Sequence, residues 1–145
     1  MPFVRLTREP LVLADLVARV RTKECGGYVT FSGDVRDHAS GKRVLALSYE
    51  AYEPLAEKEL RRLASDAELG FSAICAVEHR LGPIPIGETA VAIAVGCAHR
   101  SEAFEACRWL IDTLKATVPI WKRETYEDGT VWIEGDQSIK TDDAA

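Results

Sequence analysis

The residues of this sequence best suited to chemistry are cations placed at the ends of its predicted elements. Arg36 closes a strand-like run ahead of a polar stretch. His99 and Arg100 stand where a strand-like run gives way to a helical one, and the free N–H groups of a helix N-terminus favour an anion there. Lys115 falls in the last turn of that helix, and Lys122 lies just past Pro119 on the next strand. Pro119 prevents one continuous helix from linking the two lysines. A chain reversal would bring them together, and close cations depress a lysine pKa, making it a better acid or base. Such a set can bind an anion and move a proton. Taken singly, an Arg or Lys at a strand end is ordinarily a solvated charge, and His79-Arg80 reads as no more than a strand-end pair.

Other chemistries lack their residues. The sequence contains no GxxxxGK[ST] and no strand-anchored GxGxxG, so no nucleotide loop is expected. HExxH is absent, and His38, His79 and His99 are too scattered to suggest a metal site. No serine sits in a nucleophile elbow. Cys25, Cys75, Cys97 and Cys107 form no CxxC pair or metal-finger spacing. Cys75, Cys97 and Cys107 fall on apolar faces, where a free thiol behaves as a small hydrophobe. Trp109, Trp121, Trp132 and Phe31 read as packing aromatics.

The elements that must position these cations follow from periodicity. Phe3–Leu6 is a short strand, and Pro10 opens a helical stretch with Leu13, Leu16, Val17 and Val20 at helical spacing. From Tyr28 to Arg36 the chain alternates, with Val29, Phe31, Gly33 and Val35 on one face and Thr30, Ser32, Asp34 and Arg36 on the other. Asp37–Arg43 lacks periodicity and reads as a mobile loop. A strand over Val44–Tyr52 leads to a helix entered through Pro54, with Leu55, Ala56, Leu60, Leu63, Ala64 and Ala67 on its apolar stripe. Strands over Ala73–Arg80 and Thr89–Ala98 flank the turn-rich Gly82–Gly87. Ser101 is the expected N-cap of a third helix that points Ala103, Phe104, Cys107, Leu110, Ile111 and Leu114 inward. Ile120–Tyr126 and Thr130–Glu134 form a hairpin across Glu127-Asp128-Gly129.

Three helices among mostly antiparallel strands predict a single-domain α+β fold over residues 1–134, with a flexible polar tail over 135–145. At 145 residues with 47% hydrophobic and 28% charged content, the chain suits one soluble domain. It carries neither an apolar run of membrane-spanning length nor a secretory-type N-terminus, which favours the cytoplasm. A net charge of −5 argues against a general nucleic-acid binder. Residue types and spacing stop there: a candidate anion site on an α+β domain, with the reaction open.

Longer blocks carry a resemblance. They are Phe31-Ser32-Gly33-Asp34-Val35-Arg36, Tyr49-Glu50-Ala51-Tyr52, His79-Arg80-Leu81-Gly82, His99-Arg100-Ser101-Glu102-Ala103-Phe104, Asp112-Thr113-Leu114-Lys115 and Pro119-Ile120-Trp121-Lys122-Arg123-Glu124. With Gly87-Glu88, Asp128-Gly129 and Trp132, they run in consistent order from Phe3 to Glu134. The set resembles the MoaE family, the large catalytic subunits of molybdopterin synthase. Leu55-Ala56-Glu57 departs from it in lacking the methionine that commonly comes first.

The resemblance implies a MoaE-like α/β hammerhead and a sulfurtransferase reaction. Cyclic pyranopterin monophosphate (precursor Z) becomes molybdopterin by gaining two sulfurs, in molybdenum cofactor biosynthesis. The sulfur arrives as a thiocarboxylate on the C-terminal Gly-Gly of a small ubiquitin-like, MoaD-like subunit. Both ligands are anionic, which suits a pocket rich in Arg and Lys. Carried over by matching motif, Lys115 and Lys122 are the catalytic lysines. Phe31, Asp34, Val35, Arg36, His99, Arg100, Arg123 and Glu124 match the substrate pocket, with Glu124 orienting a neighbouring cation. No metal or other cofactor is implied. A large-subunit dimer with a small subunit at each end makes a heterotetramer, and each pocket borrows residues from the second copy. The alternative is a non-catalytic scaffold that binds a ubiquitin-like sulfur carrier; it would keep the interface and lose one or both lysines.

Overall fold

Two strands with apolar residues on both faces organise the molecule. In the computed structural model, which describes residues 1–39 and 41–134, they are β5 (Ile74–Arg80) and β7 (Thr89–Cys97). Every residue of each except the first is buried, as central strands covered on both sides require. β1 (Phe3–Thr7) pairs parallel to β5, and β2 (Gly27–Asp34) pairs antiparallel to β7, giving the order β1-β5-β7-β2.

Alternation along the central strands assigns the helices. Cys75, Val77, Val91, Ile93, Val95 and Cys97 face α2 (Glu53–Phe71) and α3 (Arg100–Thr117). Ala76, Ala92 and Ala94 face the other way, and their small side chains let Leu16 of α1 (Leu13–Ala18) and Val20 just past it seat against the sheet. Leu60 and Leu110 are 1% and 2% exposed. Cutting either to alanine would cost about 2–5 kcal/mol in lost transfer energy and cavity formation.

A second sheet joins β3 (His38–Ala39), β4 (Lys42–Ala51), β8 (Ile120–Tyr126) and β9 (Val131–Glu134), and β6 (Gly82–Pro83) pairs with β4. Its register places Tyr49 opposite Lys122, and Leu47 opposite Glu124. The single α+β domain with three helices and mostly antiparallel strands is as expected.

Several details differ from the expectation. α1 spans only six residues, and Val20 is reached instead through tight turns, its N–H donating to the Val17 carbonyl. The polar segment after Arg36 is a small hairpin, with His38 paired to Arg43, and Gly41 takes a φ of 77° that suits glycine. His99, not Ser101, is the N-cap of α3, and no side chain caps that end. Phe104 is 62% exposed because the buried stripe runs through Ala103, Ala106, Cys107, Leu110, Ile111 and Leu114 and leaves its neighbour outside. Leu45 and Leu55 are likewise exposed. β6 has no counterpart in the sequence pattern: Gly82 holds a φ of 82°, which bends the chain so that Gly82 and Pro83 meet Tyr49 and Ser48. The tail beyond Glu134 lies outside the described residues. No helix among them is long and apolar enough to cross a membrane.

Candidate active site

The chain reversal at Pro119 brings the two lysines together. α3 ends at Thr117, Val118 takes an extended conformation, and β8 sets off from Ile120 along β4. Lys115 in the last turn of α3 and Lys122 on β8 thus line the same two adjoining cavities. Cations suit that end of a helix, where unpaired carbonyls gather.

The inner cavity, of about 130 Å³, is lined by Tyr49, His79, Val91, Ile111, Leu114, Lys115, Ile120 and Lys122. The outer, of about 150 Å³, shares Tyr49, Val91 and both lysines. It adds Phe31, Asp34, Val35, Arg36 and Glu124, giving a charged mouth beside the shared lysines.

Within this mouth the charges are organised. Glu124 is 5% exposed, and one of its oxygens accepts from the Tyr126 hydroxyl at 2.9 Å. The other oxygen lies 3.7 Å from the Lys122 ammonium. A carboxylate buried without such partners would be costly; here it fixes the direction of Lys122. Asp34 accepts from the Ser32 hydroxyl at 2.6 Å and from the Thr89 hydroxyl at 2.9 Å, so its carboxylate is held at the rim. A β-bulge between Gly33 and Asp34 interrupts the pairing with β7. Strict alternation puts Asp34 and Arg36 on the face opposite Phe31 and Val35. Across this irregularity all four line one cavity. Gly33 is needed for the same wall, since a Cβ there would lie 2.8 Å from Val91 Cγ1 and 3.2 Å from the Phe31 ring.

Two residues of the inner cavity, His79 and Tyr49, stand in the blocks that carry the resemblance but take no site role from it, since His79 reads as a strand end and Tyr49 as one apolar strand position among several. The histidine is 3% exposed, its ring meets Tyr49 edge-on at 4.8 Å, and its Nδ1 lies 2.9 Å from the Arg80 carbonyl oxygen. Burial, helped by the nearby Lys115 charge, pushes its pKa down to about 4, so the ring is neutral at physiological pH. The available signal is strand alternation, because Tyr49 and His79 belong to strands that flank the lysines' path.

Not every expected residue meets here. Arg123 is exposed and lines neither cavity, pointing to the opposite face of β8 from Lys122 and Glu124. His99 and Arg100 are exposed at the N-terminal end of α3, where Gly27 of β2 packs against the Arg100 backbone. Fifteen helical positions, about 22 Å, separate Arg100 from Lys115. Burial pushes the Cys75 thiol up to about 12 and Cys107 to about 11, so both stay protonated and poorly nucleophilic. Among the described residues, no group of three or more His, Cys, Asp or Glu is placed to hold a metal ion.

The family model described as MoaE protein matches residues 6–117. The chain belongs to the MoaE family. A molybdopterin synthase catalytic subunit from Pyrococcus abyssi is 40% identical over 139 residues, covering 94% of each chain. A protein of the same name from Bacillus subtilis is 43% identical, over 91% of this chain and 84% of its own. The crystal structure of molybdopterin synthase from Staphylococcus aureus superposes with a TM-score of 0.84 at 35% identity, covering 90% of this chain and 95% of that one. The family match ends at residue 117, so it includes Lys115 but stops short of β8 and Lys122. The similarity to the Pyrococcus protein covers nearly the whole chain.

Proposed function

We propose that this MoaE-family chain is the catalytic subunit of a molybdopterin synthase, a sulfurtransferase that converts cyclic pyranopterin monophosphate to molybdopterin. The sulfur is drawn from the C-terminal thiocarboxylate of a small ubiquitin-like subunit. One observation carries the reading at the level of chemistry: two lysines from separate elements share a cavity, with a buried carboxylate directing one of them. Such a cavity can hold an anionic group and deliver a proton to it.

The roles divide by position. Arg36 at the outer mouth attracts the cyclic phosphate, and Phe31 and Val35 give the pterin ring an apolar wall. Lys115 and Lys122 stand deeper, where they polarise the thiocarboxylate and move protons as the phosphate ring opens. The mouth admits the carrier's extended C-terminus, which has to be narrow, as glycines are. His99 and Arg100 are too far along α3 to serve the cavity of their own chain. They serve that of a second copy, whose Lys115 end lies beside them in a dimer. The exposed Phe104 on the same helix end gives that contact an apolar component. No cofactor is called for, and the cytoplasm is where a carrier of this kind would meet the chain.

The test mixes the chain with a thiocarboxylated small subunit and cyclic pyranopterin monophosphate, then assays for molybdopterin. Product that requires all three components is expected. A stable complex with the small subunit that makes no product would leave the chain a scaffold.

A further inference from the structure

Arg80 and Glu88 stand in two of the blocks that carry the resemblance, and the proposed chemistry uses neither. The Arg80 side chain is 9% exposed, and its Nη1 donates to Glu88 Oε1 at 2.7 Å. Its Nε is buried without a hydrogen-bond partner among the described residues. A buried ion pair adds little stability over apolar side chains of similar volume, and an orphaned donor makes this one costlier still. Stability therefore does not account for the pair. What the pair does hold is the turn that carries Glu88.

That turn takes over where the sheet stops. β2 loses its regular pairing with β7 at the bulge between Gly33 and Asp34. One residue past β2, the Val35 N–H donates to the Glu88 carbonyl at 3.0 Å, and the Val35 carbonyl accepts from the Gly87 N–H at 2.8 Å. Gly87 holds a φ of 89°, which bends the turn back towards Val35. Val35 is a wall of the outer cavity, and Arg36, next in the chain, is a cation of its mouth. Glu88 thus grips Val35 with its backbone and Arg80 with its side chain. Arg80 belongs to β5, which lies between β1 and β7.

We propose that Arg80 and Glu88 are positioning residues: their ion pair anchors the turn to the central sheet and so sets where Val35 and Arg36 stand at the cavity mouth. A charge-assisted hydrogen bond suits this task because it fixes direction as well as distance, which apolar contact does not. That Arg36 then meets a phosphate rests on the molybdopterin synthase reading, but the placement of Val35 does not.

The test combines Arg80→Met with Glu88→Gln in the intact chain. Both charges go together, so no buried charge is left unpaired, and the thermal midpoint should stay at or above that of wild type. In amide hydrogen exchange without substrate, Val35 and Gly87 should exchange about tenfold faster or more, while the amides of β5 and β7 keep their rates. With the full set of partners, KM for the cyclic phosphate should rise about tenfold, the scale of one charged hydrogen bond, with kcat little changed. In an Arg36→Ala background the same pair of changes should move KM by less than about twofold, since the group they place is gone. Glu88→Gln alone keeps an acceptor for Arg80 and should restore both the exchange rates and KM. Unchanged exchange at Val35 and Gly87 overturns the proposal, as does a KM rise that adds in full to that of Arg36→Ala. If the double variant does not fold, the pair serves stability and the proposal falls. A wild-type protein that makes no molybdopterin would sink the functional reading while leaving the exchange result standing.

Discussion

At its C-terminal end α3 delivers Lys115 to a chamber floored by Val91, Ile111, Leu114 and Ile120, whereas at its N-terminal end it displays His99 and Arg100 on open surface. The residue types are alike and the settings are opposite. The helix dipole favours Lys115 and opposes Arg100, by about 0.3–1 kcal/mol at either end. The cavity at the C-terminal end gathers Lys115 with Lys122 and apolar neighbours, while the charges at the other end line neither cavity and are screened. A cation is organised for chemistry where the fold supplies both a cavity and neighbouring groups. The N-terminal end supplies charge alone, which is half of a site.

The sharpest way to break this comparison is Lys115→Ala. Losing a placed acid–base group should cost about 10³-fold in turnover, while the midpoint of thermal unfolding stays unchanged because the lysine is an exposed residue of the helix. An active Lys115→Ala enzyme would move the chemistry elsewhere.

A second consequence concerns the buried histidine of the cavity. His79 is buried neutral with a pKa near 4, below its ordinary value of 6.5. Its contribution to stability is therefore complete above pH 6.5. It is lost as pH falls towards 4, because the unfolded chain takes up the proton first. The shift corresponds to about 3 kcal/mol over that window. His79→Gln should flatten the loss in a series of denaturant melts. Asp128, lowered to about 2 chiefly by the Thr130 hydroxyl, acts in a more acidic window and does not confuse the measurement.

The N-terminal end is tested by complementation. Arg100→Ala should raise KM, a loss of about 1.5–3 kcal/mol if it makes one charged hydrogen bond to substrate. Lys115→Ala and Arg100→Ala chains unfolded and refolded together should regain activity. If sites are shared across a two-fold dimer, random mixing restores about a quarter of them. No recovery would place Arg100 in the service of its own chain, or of none.

The same contrast shows what a linear pattern can carry. Amphipathic patterning marks α2 and α3 because their burial is periodic, continuous apolar runs mark β5 and β7, and Pro119 between two lysines announces the reversal that joins them. Position in the chain also singles out His99 and Arg100, but it carries no distance, and nearly the full length of α3 separates them from the cavity. His79 stays hidden because Glu78-His79-Arg80 looks like a polar strand end. Only the pairing of β5 with β1 and β7 turns all three inward. Asp34 is hidden by a bulge, which alternation cannot show. The small pairings of β3 and β6 escape because two-residue strands have no period to detect.

The smallest effect tests how far the organised region extends. Lys42 pairs with Asp128 at 3.1 Å, and its ammonium sits 5.4 Å from the centroid of the Tyr126 ring, the same tyrosine that holds Glu124. Position alone would make Lys42 an outer member of the site. Exposure argues otherwise: both members of its ion pair are near half-exposed, so water already competes for their charges. Tyr126 is buried, and its hydroxyl lies within the fold. Tyr126→Phe should therefore leave a Glu124 oxygen short of a partner, cost about 1–3 kcal/mol and slow turnover by loosening Lys122. Lys42→Ala should leave turnover unchanged and the thermal midpoint unresolved from wild type. Equal effects of the two changes would mean that the boundary between chemistry and solvated surface runs outside Lys42, and that burial is the wrong criterion for drawing it.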